Sequence, residues 1–145
     1  MKIVIAADHG GFELKEHIKS FLAKEHEIID LGTNSSDSVN YPDYGIKAGE
    51  AVASGVANFG IVVCGTGIGI GIAANKVKGI RAALCHNVEY AKLSRQHNNA
   101  NILSLGGRFL DPKEAEEIVV CWLETPFEGD RHKNRINIIK EYEEK

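Results

Sequence analysis

Short runs that are apolar at nearly every position constrain this chain most: KIVIAA at Lys2 to Ala7, GIVVC at Gly60 to Cys64 and ILSL at Ile102 to Leu105. A half-buried strand alternates apolar with polar residues. A strand apolar throughout has both faces covered, the condition of a parallel sheet held between two layers of helices. Segments of helical period separate the runs. After the turn DHGG, residues Leu14, Ile18, Phe21 and Leu22 recur on one helical face. Glu27 to Leu31 reads as a second short strand, and the polar stretch GTNSSDSVNYPD as a surface loop closed by Pro42. A helix is expected over Tyr44 to Gly55, a strand over Ile80 to Cys85, and a polar helix over Asn87 to His97 with Asn87 as its N-cap. Asp111 caps a further helix that has Pro112 in first position, and a last helix covers Lys133 to Glu143. This order predicts a three-layer α/β/α Rossmann-like fold with a five-stranded parallel sheet, formed as a single domain over 1–145.

The length of 145 residues is enough to bury a core without disulfide or metal staples. A charged fraction of 26% and a formal net charge of -3, with no basic block, argue against a nucleic-acid partner. No run reaches the apolar length of a membrane span, and MKIVIAADHGG reads as a first strand rather than a signal peptide. Cys64, Cys85 and Cys121 are odd in number and lack CxxC spacing, so a disulfide framework has no support and a reducing cytoplasm is the expected location.

In open parallel sheets the ligand sits beyond the carboxyl ends of the strands. Asp8 and His9 follow the first strand, Cys64 to Gly71 the third, Cys85 and His86 the fourth, and Gly106, Gly107 and Arg108 the fifth. The segment CGTGIGIG clears side chains from a turn that enters a helix, exposing N–H groups suited to a phosphate or to an oxyanion formed during a reaction. No GK[ST] follows, so the phosphate loop of NTPases is absent. GIGIAA at Gly69 to Ala74 matches a dinucleotide pattern loosely, but the next strand ends in Cys85 and His86 instead of a ribose-binding acid. Glycines serving only tight packing are the plainer alternative.

Cys64 stands apart from Cys121, which lies on an apolar helix face. At a strand end beside a helix N-terminus a thiolate is favoured, as nucleophile or as base. No other residue between Gly65 and Asn75 can accept a proton from carbon, and Thr66 adds a hydroxyl. His97 and Asn98, within SRQHNNAN, are expected to face the same crevice, against the alternative of a solvated helix end. Arg131 and Arg135 are four apart in GDRHKNR, which puts both guanidiniums on one helical face for a phosphate dianion or simply for solvent. The histidines lack paired ligand spacing, so neither a metal nor another cofactor is expected.

Taken in order, AADHGG, YPDY, CGTGIGIGIAANK, SRQHNNAN, GGR and GDRHKNR make the chain resemble the sugar-phosphate isomerase family that contains ribose-5-phosphate isomerase type B and the galactose-6-phosphate isomerase subunits. The resemblance runs from the first strand to the terminal helix. It implies a metal-independent aldose-ketose isomerase that interconverts ribose 5-phosphate and ribulose 5-phosphate through an enediolate, a step of the pentose phosphate pathway. By the same resemblance Cys64 moves the proton between C2 and C1, His97 opens the furanose ring with help from Tyr41, and Asp8 and Asn98 contact sugar hydroxyls. His9, Arg108, Arg131 and Arg135 are assigned to the phosphate. Backbone N–H groups from Gly65 through Gly67, Ile68 and Gly69 to Gly71 are expected to bind the enediolate. Some relatives use a glutamate a few residues on, where this chain has Gly69 and Ile70. The family also implies a homodimer or dimer of dimers, with terminal arginines supplied by the neighbouring chain and the last helix packed on it. An isomerase of a six-carbon sugar phosphate and a phosphosugar-binding module without chemistry are the alternatives.

Overall fold

The consecutive apolar runs become neighbouring strands of one sheet in the computed structural model, which describes residues 1–145. The strands are β1 (Lys2–Ala7), β2 (Glu27–Asp30), β3 (Phe59–Cys64), β4 (Ala82–Leu84) and β5 (Ile102–Gly106), and the helices are α1 (Phe12–Leu22), α2 (Tyr41–Ala53), α3 (Ile68–Asn75), α4 (Val88–Asn98), α5 (Pro112–Glu124) and α6 (Arg131–Glu143). The sheet order is β2-β1-β3-β5-β4, with every pairing parallel.

Side chains along a strand point alternately to the two faces, and here both faces are dry. Ile3, Ile5 and Ala7 of β1 pack with Leu14 and Ile18 of α1, Ala91 of α4, and Ile118, Val119 and Trp122 of α5. Val4 and Ala6 of the same strand pack with Ala48 of α2 and Ile70 and Ala74 of α3. That is the α/β/α layering the unbroken apolar runs required. Asn87 caps α4 by accepting from the Tyr90 N–H at 2.9 Å, and Asp111 forms a capping box with Glu114 at the start of α5.

Three elements differ from expectation by two or more residues at an end. Helix α2 begins at Tyr41, with Pro42 in its first turn, so the proline opens the helix instead of closing the loop; a missing N–H costs nothing there. Strand β4 shrinks to three residues because Ile80 N–H turns back to Val77 O and Arg81 N–H goes to the Asn101 side chain. Helix α6 starts at Arg131, two residues before the expected Lys133.

The sequence reading did not mark Lys15, yet its side chain is wholly buried. Its Nζ donates to both Asp30 carboxylate oxygens, at 2.9 and 2.7 Å, and to Glu16 Oε2 at 2.7 Å. Asp30 also accepts from Lys19 Nζ at 2.9 Å and from the Gly32 N–H at 2.8 Å. Burial opposes charge on Asp30, but Lys15, Lys19 and the Gly32 N–H outweigh it and hold the carboxyl below its ordinary range. The segment so anchored extends the β1 ladder, since Gly32 O accepts from Ala7 N–H and Thr33 N–H donates to Ala7 O, each at 2.8 Å. The ion pair therefore fixes the chain beside the point where β1 delivers Asp8. Lys15→Ala is expected to cost about 3 kcal/mol by urea denaturation, at the low end for a broken buried pair because Lys19 stays with Asp30. A carboxyl with a depressed folded pKa stabilises above its unfolded value and loses that contribution as pH falls through the folded one. The stability gap between wild type and Asp30→Asn should therefore close as pH is taken from about 5 towards 2, and a gap constant over that range would contradict the assignment.

Candidate active site

Strands β1 and β3 are neighbours, yet the chain leaves β1 for α1 on one face and β3 for α3 on the other, which opens a crevice between their carboxyl ends. Asp8 stands on one side, buried, with its N–H on Val63 O at 3.2 Å. Its Oδ1 accepts from Gly10 N–H at 2.9 Å and Gly11 N–H at 3.2 Å, so one carboxylate oxygen shapes its own turn and Oδ2 makes no bond within the chain.

Cys64 closes β3 on the other side. Its Sγ accepts the Gly67 N–H at 3.1 Å, which sets a partial positive charge against the sulfur. Gly67 has φ of 79°, a left-handed conformation that favours glycine, and a Cβ there would lie 2.8 Å from the Leu105 backbone carbon. Gly67 O in turn accepts from the Ser104 hydroxyl of β5 and from Gly71 N–H. The thiol is thus aimed by a turn that is itself tied to the sheet. Thr66, exposed, accepts from the Ile68 N–H at 3.1 Å, which leaves its hydroxyl proton available.

Three residues cover this crevice. The Tyr41 ring lies over Gly69, where a Cβ would come within 2.7 Å of the ring. The Arg108 guanidinium spans Gly65 and Gly10, with Nη1 2.8 Å from a Cβ built on Gly65. His9 Nδ1 accepts from Val39 N–H at 3.2 Å, so its Nε2 carries the proton when the ring is neutral. The expected cradle of N–H groups from Gly65 to Gly71 is smaller than its span, because Gly67, Ile68 and Gly71 spend theirs within the turn. Those of Gly65, Thr66, Gly69 and Ile70 take no acceptor in the chain.

His97 and Asn98 do not share this crevice, which corrects the sequence expectation. Helix α4 runs antiparallel to β4, so its last residues lie at the opposite end of the sheet. There Arg81 Nε, just before β4, donates to Asn98 O at 2.9 Å, and Asn101, just before β5, donates its N–H to Arg81 O at 3.0 Å. The length of β5 alone separates this edge from Cys64 by about 13 Å. Arg131 and Arg135 sit at the same far end, exposed on the first turns of α6, where His132 stacks on His97 with centroids 4.3 Å apart. The candidate residues of one chain therefore fall into two groups at opposite ends: Asp8, His9, Tyr41, Cys64, Thr66 and Arg108 at one, and His97, Asn98, Arg131 and Arg135 at the other. A surface cavity of about 870 Å³ between α1, α4 and α5 contains none of these residues.

The remaining thiols have other surroundings. Burial pushes Cys85 up to about 11, with only a 3.9 Å contact to the Ser94 hydroxyl to oppose it, so this thiol is inert at neutral pH. His97, Glu128 and His132 place ligand atoms within 4.8 Å of one another, a grouping the sequence reading missed. The two rings are 17° from parallel, so their in-plane lone pairs run side by side and do not converge on one ion as they stand. Sequence reasoning also passed over Ser104, whose signal was a hydroxyl inside the otherwise apolar run ILSL.

A family model described as Ribose/Galactose Isomerase matches residues 3–139. The chain is similar to ribose-5-phosphate isomerase B of Escherichia coli, 45% identical over 145 residues that cover 99% of this chain and 97% of that protein. It is also similar in structure to ribose-5-phosphate isomerase B of Clostridium thermocellum, with a TM-score of 0.98 and 54% identity over 99% of this chain and 98% of that one. The Mycoplasma genitalium ribose-5-phosphate isomerase B with bound ribulose-5-phosphate gives a TM-score of 0.95 at 43% identity, covering 99% and 97% of the two chains.

The turn at Gly67 yields a stability prediction. Ser104→Ala removes one hydrogen bond and should cost about 1 kcal/mol, whereas Gly67→Ala meets both positive φ and backbone contact and should cost more, about 2 kcal/mol or above. Equal effects in urea denaturation would contradict the account of this turn.

Proposed function

Because this chain belongs to the ribose/galactose isomerase family, we infer that it is an aldose-ketose isomerase interconverting ribose 5-phosphate and ribulose 5-phosphate. The observation that carries the chemistry is the Gly67 N–H held on Cys64 Sγ at the mouth of the crevice. In this reading the Cys64 thiolate takes the proton from C2 of the open-chain aldose. The electrons move to the carbonyl oxygen, giving an enediolate; the O2 hydroxyl proton passes to O1, and the thiol returns its proton to C1, leaving the C2 ketone. Free N–H groups of Gly65, Thr66, Gly69 and Ile70 lie where a developing oxyanion needs donors, and such preorganised donors lower the barrier more than base strength does. The Thr66 hydroxyl bonds the two reacting oxygens. Asp8 Oδ2 accepts from a sugar hydroxyl, and Tyr41 covers the sugar above Gly69.

His97, Asn98, Arg131 and Arg135 come from a second copy of the chain in this reading. What supports it is the edge at β4, a three-residue strand with one neighbour. Ile68 and Ile72 of α3 are 52% and 56% exposed, and Tyr90 and Leu93 of α4 are 58% and 44% exposed. Such an apolar border around an open strand edge suits an isologous contact. A two-fold axis there, perpendicular to the strands, inverts the partner and carries its far half-site to the crevice of the first chain. His97 then opens the furanose, Asn98 contacts a hydroxyl, and Arg131 and Arg135 meet the phosphate together with His9 and Arg108. The exposed Ile138, Ile139 and Tyr142 of α6 pack on the neighbour. The unpaired cysteines suit a cytoplasmic homodimer, where this reaction serves the pentose phosphate pathway.

The test is formation of ribulose 5-phosphate from ribose 5-phosphate in the presence of EDTA. Cys64→Ser should bind substrate nearly as well but turn it over slower by orders of magnitude, since serine is a far weaker base at neutral pH. Unchanged turnover would remove Cys64 from the mechanism. Arg135→Ala should weaken substrate binding by about 1.5 to 3 kcal/mol, the scale of a lost charged hydrogen bond, with the Michaelis constant as readout.

A further inference from the structure

His132 has no part in the mechanism above, yet it is the one aromatic group in contact with the His97 ring. It stands in the first turn of α6, 4% exposed, with its imidazole 17° from parallel to His97 and 4.3 Å away between centroids. His97 nitrogens make no hydrogen bond within the chain, so this face is what defines the plane of the ring. His132 is not held by a hydrogen bond of its own either: Nε2 is buried without a partner, with Glu128 Oε1 3.5 Å away. Packing fixes it, and what it offers is a flat surface.

The groups facing this ring are His97 from α4, Glu128 from the segment before α6, and Arg131 and Arg135 from α6 itself. Burial, then Arg131 and His97, hold His132 below the ordinary histidine range, against the weaker pull of Glu128. A cationic neighbour would oppose protonation of His97, whereas an uncharged aromatic face tolerates both of its states.

We propose that His132 is a positioning residue for furanose opening, its ring face setting the plane in which His97 meets the sugar and leaving His97 as the only proton carrier of the pair. The proposal rests on the reading of His97 as the ring-opening residue. In that step the C1–O4 bond breaks with its electrons passing to O4, which takes a proton. The O1 hydroxyl gives up its proton, and C1=O1 becomes the aldehyde, so no net proton is gained or lost. A ring tilted out of plane misses one of these oxygens, although the later transfer at Cys64 is untouched.

Ribulose 5-phosphate separates the two steps. Its C5 oxygen carries the phosphate, so it forms no furanose and enters the enediolate chemistry directly. For His132→Ala the expected result is a loss of roughly 10- to 100-fold in kcat/KM for ribose 5-phosphate, while exchange of the C1 proton of ribulose 5-phosphate with deuterium oxide stays within about twofold of wild type. His132→Phe, which keeps a flat uncharged face, should recover most of the loss. Equal loss in both assays, loss in neither, or no recovery with phenylalanine would overturn the proposal. His97→Ala serves as control: if it shows no selective loss with ribose 5-phosphate, the ring-opening reading of His97 fails, a result distinct from failure of the stack. Should His132→Ala not fold, His132→Leu against His132→Phe makes the same comparison between a branched and a flat apolar side chain, with selective loss expected in leucine alone.

Discussion

The hydrogen bond from Gly67 N–H to Cys64 Sγ is the interaction on which the rest of the crevice depends. It exists because the chain must leave β3 and enter α3 within three residues, and a left-handed residue at Gly67 makes that reversal. The same turn directs the first N–H groups of α3 outward, frees the Thr66 hydroxyl, and strips side chains from the floor that Tyr41 and Arg108 cover. Ser104 ties it to β5, and the Lys15–Asp30 pair secures the opposite wall by holding the segment beside the end of β1. A thiol among glycines is the product of this geometry: in the proposed mechanism the sulfur needs an N–H aimed at it, and the reacting sugar needs room above.

A second constraint comes from topology alone. In a parallel sheet with helical crossovers, the residue after a strand and the residue ending the next helix lie at opposite edges. Cys64 ends a strand and His97 ends a helix, so no adjustment of side chains joins them within one chain. The open β4 edge, bordered by the exposed Ile68, Ile72, Tyr90 and Leu93, is where the proposed reading has two copies complete each other. Association and catalysis are then one requirement, which gives the marginal β4 strand and the exposed face of α6 a common explanation.

The parts of this arrangement that were legible in the sequence are those written in local pattern. Consecutive apolar residues announced strands covered on both sides, Asp111-Pro112 and Asn87 announced helix starts, and Cys64 was singled out because its loop holds no carboxylate or histidine to accept a proton. What escaped depends on distance in space. Pro42 was read as closing a loop, whereas it sits in the first turn of α2 beside Tyr41, whose ring settles over Gly69 on another element. Lys15 went unmarked because its partner Asp30 lies on another element. His97 was placed in the wrong crevice because a motif rich in hydrogen-bonding groups carries no record of which end of the sheet it occupies. The stack of His97 on His132 joins positions 35 residues apart on α4 and α6, and no spacing rule reaches that far.

The central claim is that each active site combines Cys64 of one chain with His97 of another. The most direct measurement is complementation: Cys64→Ser and His97→Ala proteins, each inactive with ribose 5-phosphate, are mixed, dissociated and reassociated. If the sites are shared, mixed dimers contain one doubly altered site and one intact site, and random pairing should restore roughly a quarter of wild-type activity. A mixture that stays as inactive as its components, despite verified exchange of chains, would contradict the account.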